Sequence, residues 1–289
     1  MTGGATVSVI IPCYNGHAYL DQAIRSALNQ THPPIEILIV DDGSDNPETI
    51  THLDNLSLDA RVIRQKNKGL PGARNTGFRE ARGEYVLPLD CDDWLEPEFI
   101  EKTLQIIESD DQIDFAFSWL SLEAESKGVL PKHYNFFEQL FLNQLPYCLL
   151  QPKRLWQELG GYDENMRHGY EDWEWNIRLG KSGYHGKAAC EPLFHYRVQS
   201  TAMLASISRN KHVDLWMFIR QKHPELYSLT SLKKLWFQWR PSKSTRSLWL
   251  YFGWEAIYRA LPQQIFRKVV AILFSRSHSS KFRKDGSYQ

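Results

Sequence analysis

The chain has 289 residues, is 42% hydrophobic and carries 34 Lys or Arg against 34 Asp or Glu, which excludes wholesale disorder and supplies one large core or two modest ones. Net charge is zero only because two parts cancel: from Ser231 to Gln289 twelve Lys or Arg face Glu255 and Asp285, a net of +10, and the 230 residues before them carry 22 basic and 32 acidic groups, a net of −10. Cys13, Cys91, Cys148 and Cys190 stand singly, which indicates neither a disulfide framework nor a zinc knuckle and fits a reducing, cytosolic setting.

Val7 to Pro12 is a strand-like run that breaks at Tyr14-Asn15-Gly16. The residues before it lack the basic and apolar regions of a secretory signal, so no targeting peptide is expected. Leu20, Ala23, Ile24, Ala27 and Leu28 recur at helical spacing and make one apolar face, which Pro33 and Pro34 end. Ile35 to Val40 reads as a second buried strand running into the acidic turn Asp41-Asp42-Gly43-Ser44-Asp45, and Arg61 to Arg64 as a short third. A helix over Gly72 to Phe78 precedes a fourth strand, Glu84 to Leu89, which ends in Asp90-Cys91-Asp92-Asp93. Nearly all-apolar strands alternating with helices predict an α/β fold with a parallel sheet covered on both faces, and ligands in such folds bind at the carboxyl ends of the strands.

Three strand ends therefore converge: Pro12-Cys13-Tyr14-Asn15, Asp41-Asp42 and Asp90-Cys91-Asp92. On an extended segment Asp90 and Asp92 point the same way, while Asp93 points elsewhere or caps the helix that starts near Pro97. Two hard oxygen ligands with no local Lys or Arg suit Mg2+ or Mn2+ shared with phosphates. The competing reading is a solvated acidic turn. An aromatic ring beside an acidic acceptor can hold a nucleobase or ribose, and neither glycine-rich phosphate motif follows any of these strands, which counts against a dinucleotide dehydrogenase or a P-loop enzyme.

Beyond a strand from Ile113 to Leu122 the pattern loosens until Pro152, where a helix leads to Gly160-Gly161-Tyr162-Asp163-Glu164. The next helix carries Glu171 and Asp172 in its first turn. Acids there are favoured by the helix dipole alone, and the functional alternative is that one of them is a general base. Trp156, Trp173 and Trp175 could stack on a sugar or fill the core. Pro192 to Val198 is strand-like and contains His195, Tyr196 and Arg197.

Taken together, Val9-Ile10-Ile11-Pro12-Cys13-Tyr14-Asn15, Val40-Asp41-Asp42-Gly43-Ser44-Asp45, Gly72-Ala73-Arg74-Asn75-Thr76-Gly77, Asp90-Cys91-Asp92-Asp93 and Gly161-Tyr162-Asp163-Glu164 with Glu171-Asp172-Trp173 closely resemble family 2 glycosyltransferases of the GT-A fold, over roughly residues 6 to 200. The resemblance implies an inverting, metal-dependent glycosyltransferase that moves a sugar from a nucleotide-sugar donor, usually UDP-linked, to a hydroxyl of a glycan or lipid-linked acceptor, as in cell-surface polysaccharide biosynthesis. Carried over by position, Pro12, Tyr14 and Asp42 would contact base and ribose with Arg74 nearby. Asn15 and Cys91 belong to the same donor-site motifs, although Cys91 also reads as a small residue pointing into the sheet. Asp90 would sit against ribose and metal, Asp92 would ligate the metal, Asp172 would be the base and Glu171 would assist the acceptor. The helix N-terminus would lower the Asp172 pKa. Relatives place a histidine shortly after a Tyr-Arg pair; here Gln199 follows Tyr196-Arg197-Val198, so His195 is the candidate third metal contact, with a packed strand histidine as the alternative. A non-catalytic subunit that binds a nucleotide sugar or glycan is the competing function.

The division expected is a GT-A domain over 1–225 and a basic, aromatic-rich helical tail over 226–289. The tail's apolar runs are interrupted by Glu255, Arg259, Arg267 and Lys268, too often to span a bilayer. Trp and Tyr mixed with Lys and Arg fit helices lying in an anionic membrane surface, hence a cytoplasmic protein peripheral on the inner face of the plasma membrane; packing on the catalytic domain or on a second subunit of an oligomer is the alternative. No RNA-binding motif accompanies the charge, and no nucleic-acid partner is expected.

Overall fold

A computed structural model describes residues 5–34, 36–199, 211–239 and 248–270. In chain order the elements are β1 (Val7–Cys13), α1 (His17–Leu28), β2 (Glu36–Asp41), α2 (Pro47–Asp54), β3 (Arg61–Arg64), α3 (Gly69–Glu80), β4 (Tyr85–Pro88), β5 (Trp94–Leu95), α4 (Phe99–Glu108), β6 (Phe115–Ala124), β7 (Gly128–Leu130), α5 (Phe136–Gln139), β8 (Gln151–Pro152), α6 (Lys153–Leu159), α7 (Glu171–Lys181), β9 (Gly186–Val198), α8 (His212–Lys222), α9 (Leu229–Gln238) and α10 (Leu248–Ala260), with a 3-10 turn at Pro224–Tyr227. The second strand starts at Glu36; Ile35, which the sequence reading includes, lies outside the described residues.

Five strands form one sheet in the order β3-β2-β1-β4-β8. The first four are parallel and β8 closes the edge antiparallel. Every residue of β1 is buried, as a strand flanked by parallel neighbours and covered on both faces must be, and this is why it reads as one apolar run. The chain leaves β1 toward β2 on one side and returns to β4 on the other. That reversal opens a crevice at the carboxyl ends of β1 and β4, the place where open α/β sheets bind ligands.

The helices seat on this sheet for identifiable reasons. The apolar stripe of α1 buries Leu20, Ala23, Ile24 and Ala27, whereas Leu28 at its end stays exposed. Helix α2 begins with Asn46, whose side-chain oxygen accepts from the Thr49 amide at 3.0 Å, followed by Pro47. Helix α3 lies so close over β1 that a Cβ on Gly77 would stand 2.3 Å from Ile10 Cγ2. Only glycine permits that approach, and an alanine there would push α3 and its Arg74 off the sheet.

A second, mixed sheet has the order β5-β9-β6-β7 and was not anticipated from sequence. It joins the first through an antiparallel bridge between Ala116 and Leu150. Its short β5 continues directly from the acidic turn and pairs with β9, Trp94 opposite His195.

The C-terminal helices share a core with the preceding part of the chain. Phe136, Phe137, Leu140, Trp173 and Ile177 pack with Trp216, Met217, Tyr227, Leu232, Tyr251 and Phe266 in one buried cluster. Truncating any of these large aromatics to alanine would cost about 3–5 kcal/mol. Polar groups fasten the same seam: Glu174 on α7 accepts from Lys222 Nζ at 2.8 Å and faces His223 Nε2 at 3.1 Å. Burial alone would raise the Glu174 carboxyl, yet His223, Arg178 and Lys222 outweigh it and hold it at about 2. The expected division between 225 and 226 falls inside the 3-10 turn, and both Leu226 and Tyr227 enter the shared core. Among the described residues no helix is long and apolar enough to cross a membrane; residues 240–247 and 271–289 of the expected tail lie outside them.

Candidate functional site

The crevice between β1 and β4 is organised around one guanidinium. Arg74 is 1% exposed, and its position on α3 aims it across the carboxyl end of β4. Its Nη2 donates to both Asp90 oxygens at 2.8 and 3.1 Å, and its Nη1 donates to Glu171 Oε1 at 2.7 Å. The guanidinium lies 4.7 Å from the centre of the Tyr147 ring and 5.6 Å from that of Tyr162. Two carboxylates that are 81 residues apart in sequence are thereby drawn to one cation, and the acidic turn after β4 meets the first turn of α7.

The acidic turn is not extended. The Asp93 amide donates to the Asp90 carbonyl at 3.1 Å, closing a turn, so Asp90 and Asp92 do not share a face by strand alternation as the sequence reading assumed. Their charges still meet: burial, then Asp90, pushes the Asp92 carboxyl up to about 6. Among the described residues no side chain donates to the Asp92 carboxylate. Asp93 does not cap the next helix either; α4 starts at Phe99 after Glu98. It is buried and accepts from Tyr147 Oη at 2.6 Å and from the Arg197 amide at 2.7 Å. Burial together with Asp92 and Asp90 keeps its carboxyl well above the usual range.

The nucleoside-side candidates divide. Pro12 is buried near the end of β1, and Tyr14, two residues on, is 51% exposed. Asn15 holds a left-handed backbone, φ 54°. Its side chain ties the loop after β1 to the loop after β2, accepting from the Asp45 and Asn46 amides at 3.1 and 3.0 Å and donating to Asp45 Oδ1 at 2.7 Å. Asp42 is buried and accepts from Gln65 Nε2 and the Lys68 and Gly69 amides at 2.6 to 2.8 Å. It orders the turn into α3, and a nucleoside would have to share those oxygens. The Cys91 sulfur packs beside Gly16, at the start of α1, and the Cys13 thiol.

On the opposite wall, Asp172 is half-buried and accepts from Asn143 Nδ2 at 2.8 Å. Its pKa is raised, not lowered as the helix N-terminus suggested: burial outweighs the Arg74 charge, the Asn143 hydrogen bond and the Trp173 amide. Dipole stabilisation is a surface-scale effect of about 0.3–1 kcal/mol, too small to offset the lost hydration of a carboxylate. Burial against the Arg74 charge, with Asp172 repelling, likewise brings the Glu171 carboxyl to about 7. Lys132, held down to about 8 by burial, faces Asp172 from the segment before α5.

The histidine and the tryptophans are placed elsewhere. His195 stacks on Trp94, and its ring nitrogens face Glu96 Oε1 at 2.6 Å and Glu123 Oε1 at 3.1 Å; both are occupied, as the packed-strand alternative has it. Trp173 and Trp175 are core side chains, and Trp156 donates its indole N–H to Asn75 Oδ1 at 3.0 Å. Asn75 also donates to the Tyr162 carbonyl and accepts from its amide, both at 2.8 Å. Gly161, at φ +77°, would put a Cβ 2.6 Å from that same Asn75 oxygen, which explains why Asn75 and Gly161-Tyr162 occur as separate motifs of one site.

Among the described residues no group of three or more His, Cys, Asp and Glu side chains comes together around a metal position. The donor set present still fits Mg2+ or Mn2+. Such ions take few protein carboxylates and complete their octahedron with substrate phosphates and water, and the Asp92 carboxylate, to which no described side chain donates, offers a hard oxygen ligand beside Asp90. Sequence reasoning missed Tyr147, Asn143 and the role of Arg197, which donates through Nε to the Asp92 carbonyl at 2.9 Å and stacks over Tyr19. Tyr147 and Asn143 sit in the loosely patterned stretch before β8, where no periodicity marks them.

Known proteins resemble this chain in sequence and in fold. The profile of Glycosyl transferase family 2 matches residues 8–161. An uncharacterised glycosyltransferase of Rickettsia prowazekii is 30% identical over 228 residues, 73% of this chain and 70% of its own length. Glycosyltransferase GlyA of Streptococcus pneumoniae is 34% identical over 143 residues, 47% of this chain and 20% of its own length. The chain spans only 27–41% of the length of three further curated relatives. The crystal structure of Staphylococcus aureus TarS 1–349 in complex with UDP-GlcNAc superposes with a TM-score of 0.62 at 17% identity, covering 88% of this chain and 79% of that one; at that identity the likeness is one of fold, GT-A.

Proposed function

The chain belongs to glycosyl transferase family 2, and from that premise we propose that it transfers a sugar, with inversion, from a UDP-linked donor to a hydroxyl of a glycan or lipid-linked acceptor. The observation that carries this reading is the Arg74 bridge, which brings the acidic turn at Asp90 and the first turn of α7 at Glu171 to one guanidinium. Asp172 follows Glu171 directly, so a candidate base stands across the crevice from the candidate diphosphate ligands. That TarS was crystallised with UDP-GlcNAc supports a nucleotide sugar of this kind as the donor.

In this reading Tyr14 stacks on the base, Asn15 and Asp42 order the two loops around the nucleoside, and Asp90, fixed by Arg74, lies against the ribose. Asp92 and Asp90 would hold Mg2+ or Mn2+, which when bound supplies Lewis-acid stabilisation of the leaving diphosphate. Asp172 accepts the acceptor proton as its oxygen attacks the anomeric carbon from the side opposite the diphosphate. Its raised pKa serves that role, because a base is most effective when its pKa approaches the working pH. Glu171 is engaged by Arg74 and keeps the α7 turn in register.

Residues 1–225 then carry donor and base, and the described helices α9 and α10 of 226–289 form their support. On α10 Trp249 is 82% exposed and Leu250 is exposed beside it, and on α9 Lys233, Lys234 and Phe237 are exposed. These are the exposed groups that would lie on an anionic membrane and hold the enzyme near a membrane-proximal acceptor. The test of the catalytic reading is a paired one. A panel of nucleotide sugars with Mn2+ is screened for thermal stabilisation, and turnover of the selected donor is compared between wild type and Asp172→Asn. Loss of turnover with retained donor binding supports the enzyme; a wild type that binds donor and never turns it over favours the non-catalytic binding subunit.

A further inference from the structure

We infer that Asn143 is the positioning residue for the Asp172 carboxylate, and that the C-terminal helices act in catalysis by holding the loop that carries it. This rests on the reading of Asp172 as the base.

Asn143 lies in the loop after α5, where backbone alone would not fix a side chain to the tolerance a base requires. Its amide is nevertheless oriented without ambiguity. Its Oδ1 accepts from Gln139 Nε2 at 2.8 Å and from Asn176 Nδ2 at 3.2 Å, so the NH2 end is the one that faces Asp172 Oδ2 at 2.8 Å. Gln139 is buried and in turn accepts from the Gln144 amide at 2.9 Å, which closes the loop on itself.

What keeps this loop in place comes from the far end of the chain. The Leu140 carbonyl accepts from Tyr227 Oη at 2.9 Å and from Trp216 Nε1 at 3.2 Å. Asn135, which caps α5, donates to the Trp239 carbonyl at 2.9 Å. The Gln139 carbonyl accepts from Trp173 Nε1 at 2.6 Å, tying the loop to the helix of the base itself. The loop is thus clamped between α7 and the C-terminal aromatics, and Asn143 transmits that clamp to the carboxylate.

The groups that face Asp172 are Arg74 from α3 and Lys132 from the segment before α5, which favour its ionised form, and Asp90 and Glu171, which oppose it; Tyr162 and Tyr196 are its neutral neighbours. Asn143 adds the side-chain N–H that donates to its carboxylate, alongside the Trp173 backbone amide. Without that donor the carboxylate protonates more readily, and the acid limb of the rate profile moves to higher pH.

The experiment measures the pH dependence of kcat for hydrolysis of the selected nucleotide sugar by the full chain, with donor KM and melting temperature, for wild type, Asn143→Ala, Asn143→Asp, Tyr227→Phe and Asp172→Asn. Asn143→Ala is expected to lower kcat about tenfold near neutrality and to move the acid limb up by about one pH unit, the effect of one hydrogen bond to a charged group, with donor KM unchanged. Asn143→Asp, of the same shape but with a like charge in place of the donor, should move the limb further, and it carries the test if the alanine variant melts early. Tyr227→Phe, remote from the crevice, should move the limb in the same direction by less. An unmoved limb in both Asn143 variants, with Asp172→Asn inactive, overturns the positioning role alone. Full turnover by Asp172→Asn overturns the base reading beneath it.

Discussion

Replacing Arg74 by methionine keeps its volume and removes the charge on which the two acidic segments converge. The structure sets the magnitude. Arg74 and Glu171 are both buried, and removing one partner of a buried pair costs about 3–5 kcal/mol because the other charge is left uncompensated. At about 2 °C per kcal/mol for a chain of this size, the melting temperature should fall by about 6–10 °C at pH 8. The loss should depend on pH in a defined direction. The folded Glu171 carboxyl, at about 7 against an ordinary 4.5, binds its proton more tightly folded than unfolded, so its stability contribution is greatest at low pH and is lost as pH rises from 4.5 through about 7. Arg74 lowers that folded value; without it the value climbs further, so between pH 5.5 and pH 8 the two proteins should lose stability in parallel up to about 7, and the variant's deficit should widen above that, where wild type levels off. The assay is thermal unfolding of both proteins across that range, with donor-dependent stabilisation measured alongside. Equal melting temperatures at all pH values would refute the bridge as the organiser of the site.

Asp172→Asn should lower turnover by about 10²–10⁴-fold, the range for losing a general base, with the donor-induced rise in melting temperature unchanged. Asp92→Asn should abolish the metal-dependent part of that rise, while the free protein melts no lower than wild type, because a carboxylate destabilised by burial and by Asp90 has been neutralised. In wild type the same metal-dependent rise should weaken as pH falls through about 6, where Asp92 takes up a proton. Trp249→Ser, at a position 82% exposed, should leave the melting temperature within about 1 °C and reduce flotation with anionic vesicles; equal flotation would remove α10 from the membrane-facing surface.

Much of the donor half was legible because it is made of regular pieces. Strands buried on both faces, such as Val7–Cys13, announce themselves as apolar runs, and the motifs at Asp42 and Asp90 stand just past strand ends that topology brings together, with Arg74 on the helix between them. Side-chain pairing was not legible. The Arg74 contact with Glu171 spans 97 positions, and nothing local marks it. The acidic turn was read as extended backbone because alternation is a property of strands, and the Asp93–Asp90 hydrogen bond that bends it is a matter of loop conformation. The Asp172 pKa was assigned the wrong direction because dipole arguments need only a helix end, whereas desolvation depends on what packs over it. The C-terminal helices looked like an appendage because their charge differs from the rest; their buried face, Trp216, Tyr227 and Tyr251, reveals its purpose only against Phe136, Phe137 and Leu140.

The most direct measurement is the anomeric configuration of the sugar first released when the selected nucleotide sugar is turned over with water in place of the acceptor, followed by proton NMR before mutarotation. A single base across the crevice from the diphosphate predicts that an α-linked donor releases the β anomer first. Initial release of the α anomer would contradict the arrangement of Asp172 opposite Asp90 and Asp92.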